Sequence, residues 1–392
     1  MRRIVLVVVF ALVSCVAAKP QAEEAGTLAI QAPKPAAVPP RSSKDIDGAI
    51  ARGVHFLLQD QNPNGSWGSA ERTKGLNIYA PVPGAHHAFR AAVTAMCVSA
   101  LIEAEGRSDG VAATIDRGEA WLLENLPNVK RASPDALYNV WAHGYALQAL
   151  AKLHKRHAGD SAKQEPIALL VEDQVEKLTR YEAVAGGWGY YDFDVGAKKP
   201  AASSTSFTTA AILVAMAECR DEGFKMPEPL VKRAVKSIER QLKPDFTYLY
   251  GEYLKWYPHH PINMIGGSLG RTQSCNCALR LWGVPKITDQ VIEATLDRLF
   301  ARNWWLDIGR KRPIPHESHF AVAGYFYYFG HYYAARCIQI LPESERASQQ
   351  DQLTFQLLKL QEKDGSWWDY PLYNYHQQYG TAFALMSLVG CR

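Results

Sequence analysis

Two carboxylates, three histidines and several groups of aromatic side chains are the residues here best suited to chemistry. In Gly186-Gly-Trp-Gly-Tyr-Tyr-Asp-Phe-Asp194, Asp192 and Asp194 stand two apart. Such a pair can hold a divalent metal or share acid and base work; it can equally cap a turn. His316-Glu-Ser-His319 puts two imidazoles on one helical face, a spacing that suits a metal pair, although no third ligand is evident. Arg310, Lys311 and Arg312 bring positive charge just before it, and His376 stands beside Tyr375 and Tyr379. Asp192, Asp194, His316, His319 and His376 are therefore the candidate catalytic residues. The candidate ligand wall is Trp141, His143 and Tyr145, then Tyr325, Tyr328 and His331, then Tyr375 and Tyr379, with Arg271 for an anionic head. Aromatic faces can hold an isoprenoid chain, stabilise a carbocation or stack on sugar rings; they can also simply fill a core. No Ser-His-Asp nucleophile motif or Gly-rich phosphate loop is present.

Helices must position these groups, because helical periodicity runs from Ile46 onward and no alternating strand pattern of useful length occurs. The runs come in pairs. First members, amphipathic and longer-chained, are 46–60, 111–125, 166–182, 228–242, 287–303 and 346–362. Second members, rich in small residues and aromatics, are 85–105, 134–155, 206–222, 268–283, 318–341 and 377–390. The pair repeats about every 60 residues, a repeat architecture. One-faced helices suit an outer ring and all-apolar helices an inner one. The expected fold is all-α, an (α/α)6 barrel over 46–392. Connections from outer to inner helices are long and aromatic, and long loops in compact domains are usually functional. They gather where the inner helices begin. Six helix N-termini point there, so that mouth should attract an anionic group.

The corners repeat as well. Gln61-Asn-Pro-Asn-Gly65-Ser-Trp67 and Gln361-Glu-Lys-Asp-Gly365-Ser-Trp367 share identical Gln, Gly and Trp spacing. Gly lets the chain leave a helix with positive φ. Gln can satisfy backbone groups at a helix end, and Trp covers the joint. Arg117-Gly118-Glu-Ala-Trp121-Leu122 keeps only the start of the pattern, and Gly186-Gly187-Trp188 only its end.

These Gln-x-x-x-Gly-x-Trp repeats, the helix pairs and Tyr379-Gly-Thr-Ala-Phe-Ala-Leu385 resemble the terpene cyclase and protein prenyltransferase α-α toroid superfamily, where similar repeats are called QW motifs. The resemblance implies a toroid with an apolar, isoprenoid-type ligand. Cyclases of this kind protonate substrate with an Asp-x-Asp-Asp-Thr-Ala stretch; the similar stretch here, Thr205-Ser-Phe207-Thr208-Thr209-Ala210, has none of the acids. Prenyltransferases hold zinc with Asp-x-Cys and a His opening His-x-x-Tyr. Here Cys275-Asn-Cys277 and His376-Gln-Gln-Tyr379 correspond, so the resemblance implies Cys275, Cys277 and His376 as a metal set with Cys in the Asp position. The Cys-Gly-Glu-Gln thioester of complement-like toroids is missing.

At 392 residues and 47% hydrophobic the chain can bury a large core, and a net charge of +4 is too mild to imply nucleic acid. Met1-Arg2-Arg3 and the apolar run to Val13 read as a signal peptide over 1–18, too short to span a bilayer. Leu12-Val-Ser-Cys15 resembles a lipobox, which would put lipid on Cys15; ordinary cleavage after Val16-Ala-Ala18 is the alternative. The expectation is an exported protein of a bacterial periplasm or envelope, lipid-anchored where the lipobox is used. An Ala/Pro tether follows over 19–45. The other six cysteines lie in or at the end of helical runs and read as buried free thiols. No cofactor is required; a divalent metal is the one these residues could take. The functional expectation is an isoprenoid or similar apolar ligand in an aromatic cavity. A carbohydrate-active toroid and a non-catalytic envelope scaffold are the alternatives.

Overall fold

The computed structural model describes residues 31–75, 77–106, 110–192, 200 and 203–392. Thirteen α-helices occur among them, and β-structure is limited to isolated bridges. The outer helices are α1 (Ser43–Gln59), α3 (Val111–Asn125), α5 (Ser161–Arg180), α7 (Glu228–Gln241), α9 (Asp289–Ala301) and α12 (Glu343–Leu358). The inner helices are α2 (Gly84–Glu103), α4 (Asn139–Arg156), α6 (Ser206–Asp221), α8 (Ile265–Leu281), α11 (Phe326–Ile340) and α13 (His376–Val389); α10 (Asn303–Asp307) is a short turn after α9. Each inner helix packs on the next, and α13 packs on α2, so the ring closes.

Sequence pattern explains the two rings. On α7, Leu230, Val231, Ala234 and Ile238 are buried while Lys232, Arg233, Lys236 and Glu239 face water. On α2, every residue from Ala91 to Leu101 is buried. Glycine brings inner backbones together. A Cβ on Gly330 of α11 would lie 2.6 Å from the Gly270 Cα of α8.

Three corners share one set of bonds. The Trp67, Trp188 and Trp367 indoles donate to the Leu57, Leu178 and Leu357 carbonyls at 2.8–2.9 Å. Their backbone N–H groups donate to Thr94, Thr209 and Thr381 on the following inner helix at 2.9–3.1 Å. Gly65, Gly186 and Gly365 have φ near +90°, and a Cβ there would stand 2.3–2.8 Å from the Arg117, Arg233 and Arg52 carbonyl oxygens. Each corner is thus keyed to the next outer helix, and the last is keyed to the first. Gln361 strengthens that closure, donating to the Gly365 and Ala49 carbonyls at 2.9 Å. A fourth corner escaped the sequence pattern. Tyr248 replaces Trp and donates its N–H to Ser268 Oγ at 3.1 Å, and Phe246 takes the left-handed φ of 56°.

Two expectations need correction. The fifth inner helix begins at Phe326, not 318, because His316 and Ala321 adopt left-handed φ of 64° and 53°, which a helix cannot contain. Residues 31–42 do not form a free tether but lie along α9 and α12. Lys34 pairs with Asp297 at 2.6 Å, Gln352 donates to the Ala36 carbonyl at 2.6 Å, and Arg41 pairs with Asp351 at 2.9 Å. Cys15 lies outside the described residues; the other six cysteines are buried free thiols.

Candidate functional site

The inner helices leave a cavity of about 300 Å³ at the end where they begin. The first turns of α4, α6, α11 and α13 and the middle of α2 form its wall, and loop residues Ile78, Tyr190, Tyr191, His316 and Leu372 cover it. Phe207 occupies the centre of the aromatic wall. Its ring lies 4.9–6.2 Å from those of Trp141, Tyr190, Tyr250, Phe326 and Phe329. Thus the stretch that would carry the acids of a cyclase carries a phenyl ring instead.

The wall holds several tyrosines, yet little of their polarity is free. Tyr138 donates to the Tyr79 carbonyl at 2.7 Å and meets Tyr191 at 2.5 Å. Tyr190 bonds Tyr250, and Tyr375 meets His86 Nδ1 at 3.3 Å. These hydroxyls serve the frame, so a bound molecule meets mainly ring faces and aliphatic carbon.

Two hydroxyls connect instead to titratable groups. Tyr379 donates to Asp369 Oδ1 at 2.6 Å, and Asp369 Oδ2 accepts the Tyr328 N–H at 2.9 Å. Asp369 is fully buried, and burial pushes its carboxyl up to about 7 despite these bonds. His316 is the second. Its Nδ1 lies 2.8 Å from the Ala321 carbonyl, which only an N–H can bond, so Nε2 is left to accept from the Tyr325 hydroxyl at 3.0 Å. Burial lowers the His316 pKa, favouring that neutral form. The arrangement can move protons in both directions. Once Asp369 holds a proton the bond can reverse, Asp369 donating to the Tyr379 oxygen; the Tyr379 proton, freed from Asp369, can then pass to a bound ligand as the Asp369 proton moves to the Tyr379 oxygen. A proton leaving the ligand can pass to the Tyr325 oxygen as the Tyr325 proton moves to His316 Nε2. A cation formed between these steps would lie among aromatic faces.

The opposite end is closed by charge. Glu218 pairs with Lys152 at 2.7 Å and Arg336 at 2.9 Å, and Lys152 also reaches Glu103 at 3.1 Å. Gln148 bonds both Glu218 and Tyr332, and Tyr332 stacks on Phe383 of the cavity floor at 5.1 Å. The cavity therefore works from one mouth.

No protein-family model and no curated protein matches the sequence. Solved structures do match the backbone. A type II terpene cyclase from Scytonema aligns with 89% of this chain and 98% of its own at 16% identity, TM-score 0.50. Cellobiose 2-epimerase from Bacillus thermoamylovorans aligns with 88% and 98% at 10% identity, TM-score 0.55. An α-1,6-mannanase of Salegentibacter aligns with 88% and 99% at 11% identity, TM-score 0.53. The chain is an α-α toroid. At such low identity the likeness concerns the backbone path alone.

The toroid brings some expected residues together and scatters others. Trp141, Tyr145, Tyr325, Tyr375, Tyr379 and His316 line the cavity. His143 faces away, with Nδ1 2.7 Å from Gln174 Oε1 and its ring stacked on Tyr181. His331 also faces away, bonded to the Tyr327 carbonyl and Asn303. Tyr328 is buried beside Tyr327, and its hydroxyl has no partner. Arg271 reaches no head group. Its guanidinium is spent on the Tyr248, Gly267 and Ile262 carbonyls, where it ties down the loop before α8.

Among the proposed acids and bases, Asp192 is buried in an ion pair with Arg131 at 2.9 Å, and Asp194 lies outside the described residues. His319 is exposed against Phe320. His376 bonds the Tyr373 carbonyl at 2.7 Å. The implied metal set does not assemble. Cys275 faces Ser206 and Cys277 faces Cys337, and no group of three metal-type side chains occurs among the described residues. Arg310, Lys311 and Arg312 are neutralised by Asp307, Glu362 and Glu317. Asp369 was missed because Trp367-Trp-Asp-Tyr370 matches no motif; a lone acid in an aromatic stretch was its only signal.

Proposed function

We propose that the toroid holds an isoprenoid or similarly apolar ligand in its aromatic cavity. The observation that carries this reading is the wall itself: apart from Tyr325 and Tyr379, its tyrosine hydroxyls such as Tyr138 and Tyr191 are committed to protein partners, and what remains is ring and methyl surface. A sugar needs free donors and acceptors along its length, and the wall offers few. The carbohydrate reading, supported by the epimerase and mannanase neighbours, is weaker for that reason. In this reading Asp369 acting through Tyr379 is the acid, and His316 acting through Tyr325 is the base. Proton gain and proton loss at a carbon skeleton then cancel, which is the balance of an isomerisation or cyclisation. Export to the envelope and an N-terminal lipid at Cys15 belong to the same proposal and are carried by the first eighteen residues.

Thermal midpoints measured against farnesol, geranylgeraniol and oligosaccharides test the assignment. Prenols should raise the midpoint by mass action. Ala92→Phe, which places a ring where a cavity-lining methyl stands, should abolish that rise. A response to oligosaccharides alone would contradict the proposal.

A further inference from the structure

Six cysteines are buried in the ring, and the proton transfers in the cavity use none of them. Four meet a carbonyl or a hydroxyl. Cys97 Sγ lies 3.8 Å from the Gln378 carbonyl, and Cys219 Sγ lies 3.4 Å from that of Leu147. Cys275 faces Ser206, and Cys391 faces Thr354. Cys277 and Cys337 face one another, across neighbouring inner helices.

The ring itself puts them there. Helices α8 and α11 lie side by side and run in the same direction, and Gly270 and Gly330 let their backbones touch. Each cysteine stands seven residues after its glycine, about two turns further on and on the same face. The two cysteines, like the two glycines, are sixty residues apart, one repeat of the ring, so they lie at one height. Cys337 Sγ comes within 3.3 Å of the Gln273 carbonyl. In an α-helix that carbonyl accepts the N–H four residues on, which is that of Cys277. The Cys337 sulfur thus rests against the turn of α8 that ends in Cys277. A disulfide needs Cα atoms about 4.4–6.8 Å apart. Packed helix axes usually lie about 8–10 Å apart, and the glycine contact narrows that gap.

We propose that Cys277 and Cys337 form a disulfide that joins the fourth helix pair to the fifth. The oxidant is a small disulfide such as oxidised glutathione. One cysteine gives up its proton and attacks it, which releases one glutathione thiolate and leaves a mixed disulfide. The other cysteine gives up its proton and attacks the protein sulfur, which releases the second glutathione thiolate. Two cysteines are oxidised, one glutathione disulfide is reduced to two thiols, and the two protons pass to them. The hydrogen bond to Cys277 and burial both push the Cys337 thiol up, so the bond forms as the helices part and not in the closed ring. The pairing does not use the ligand assignment. Only its oxidant in the cell rests on the export reading.

The test holds the native protein in oxidised glutathione and raises urea until Cys97 carries glutathione, which shows that the reagent has entered the ring. Urea is then removed, remaining thiols are alkylated, and peptides are mapped by mass. Cys277 and Cys337 should be recovered in one joined pair of peptides without glutathione. The bond should raise the thermal midpoint by roughly 5 °C, as expected for closing a segment of about sixty residues in a domain of this size, and dithiothreitol should reverse the rise. Cys277→Ser and Cys337→Ser should each lose both effects, and Cys275→Ser should keep them. Cys277 and Cys337 recovered as separate thiols or as separate glutathione adducts would overturn the proposal, and so would a link to Cys275. The reagent is added to purified protein, so failure of the export or ligand reading leaves this result untouched.

Discussion

An ionised Asp369 would sit in the core with two hydrogen bonds and no bonded cation, which is why its carboxyl keeps a proton up to about pH 7. Arg310, the nearest cation acting on it, is already held by Asp307 at 2.5 Å. A raised acid favours the fold while protonated, so its contribution is complete below its unfolded value near 4 and is lost as pH rises through about 7. Burial lowers His143 and His331 to about 4, and they act the other way: their contribution is complete above about 6.5 and is lost as pH falls. Raw stability against pH therefore mixes opposing slopes, and a difference isolates one. Relative to wild type, Asp369→Asn should gain about 2 kcal/mol between pH 5 and pH 8 by denaturant unfolding. A pH-independent difference would show that the carboxyl is ionised throughout. Tyr379→Phe should keep prenol binding yet abolish any proton-dependent turnover of the ligand. The sequence showed the aromatic wall because Trp141, Tyr145 and Tyr325 sit at helix starts. It could not show that His143 and His331 face outward, since a helix buried on all sides has no polar face to fix its rotation.

Helix corners carry the next level of order, and there the sequence was most legible. Gln, Gly and Trp each meet a steric or hydrogen-bonding requirement that few residues can satisfy, so the pattern survives in residues. Gly365→Ala combines a φ of +90° with a Cβ 2.5 Å from the Arg52 carbonyl oxygen, and should cost several kcal/mol by thermal or urea unfolding. Trp367→Phe loses the bond to the Leu357 carbonyl and part of a buried ring, at about 1–3 kcal/mol. The fourth corner stayed hidden because Tyr248 and Ser268 do the same job with other atoms. The start of α11 was misplaced because His316 to Phe320 has helical spacing but left-handed backbone at His316. At the charged end, Glu218→Leu should cost about 3 kcal/mol, since it strands Arg336 and leaves Lys152 with Glu103 alone. Burial alone raises the Glu218 pKa, but Arg336 and Lys152 draw it below its ordinary value, so this network weakens as pH falls through that lowered value.

The whole molecule is a cup. Outer helices face water, inner helices face one another, a cleft lined by ion pairs lies at one end, and aromatic loops ring the other. The six helix pairs and ring closure could be read from a repeat of about sixty residues because each hairpin must bury its apolar face on the next; the short α10 could not. The cavity's size could not, since it depends on which aromatics at the inner ends point to the axis. The central claim is that this hollow is kept for an apolar molecule. Native mass spectrometry of protein purified from its source cells, with lipid extraction of the same sample, tests that most directly. The account predicts an added mass that recovers as an isoprenoid and is lost in Ala92→Phe. Protein that repeatedly carries no apolar ligand, or a glycan in its place, would contradict it.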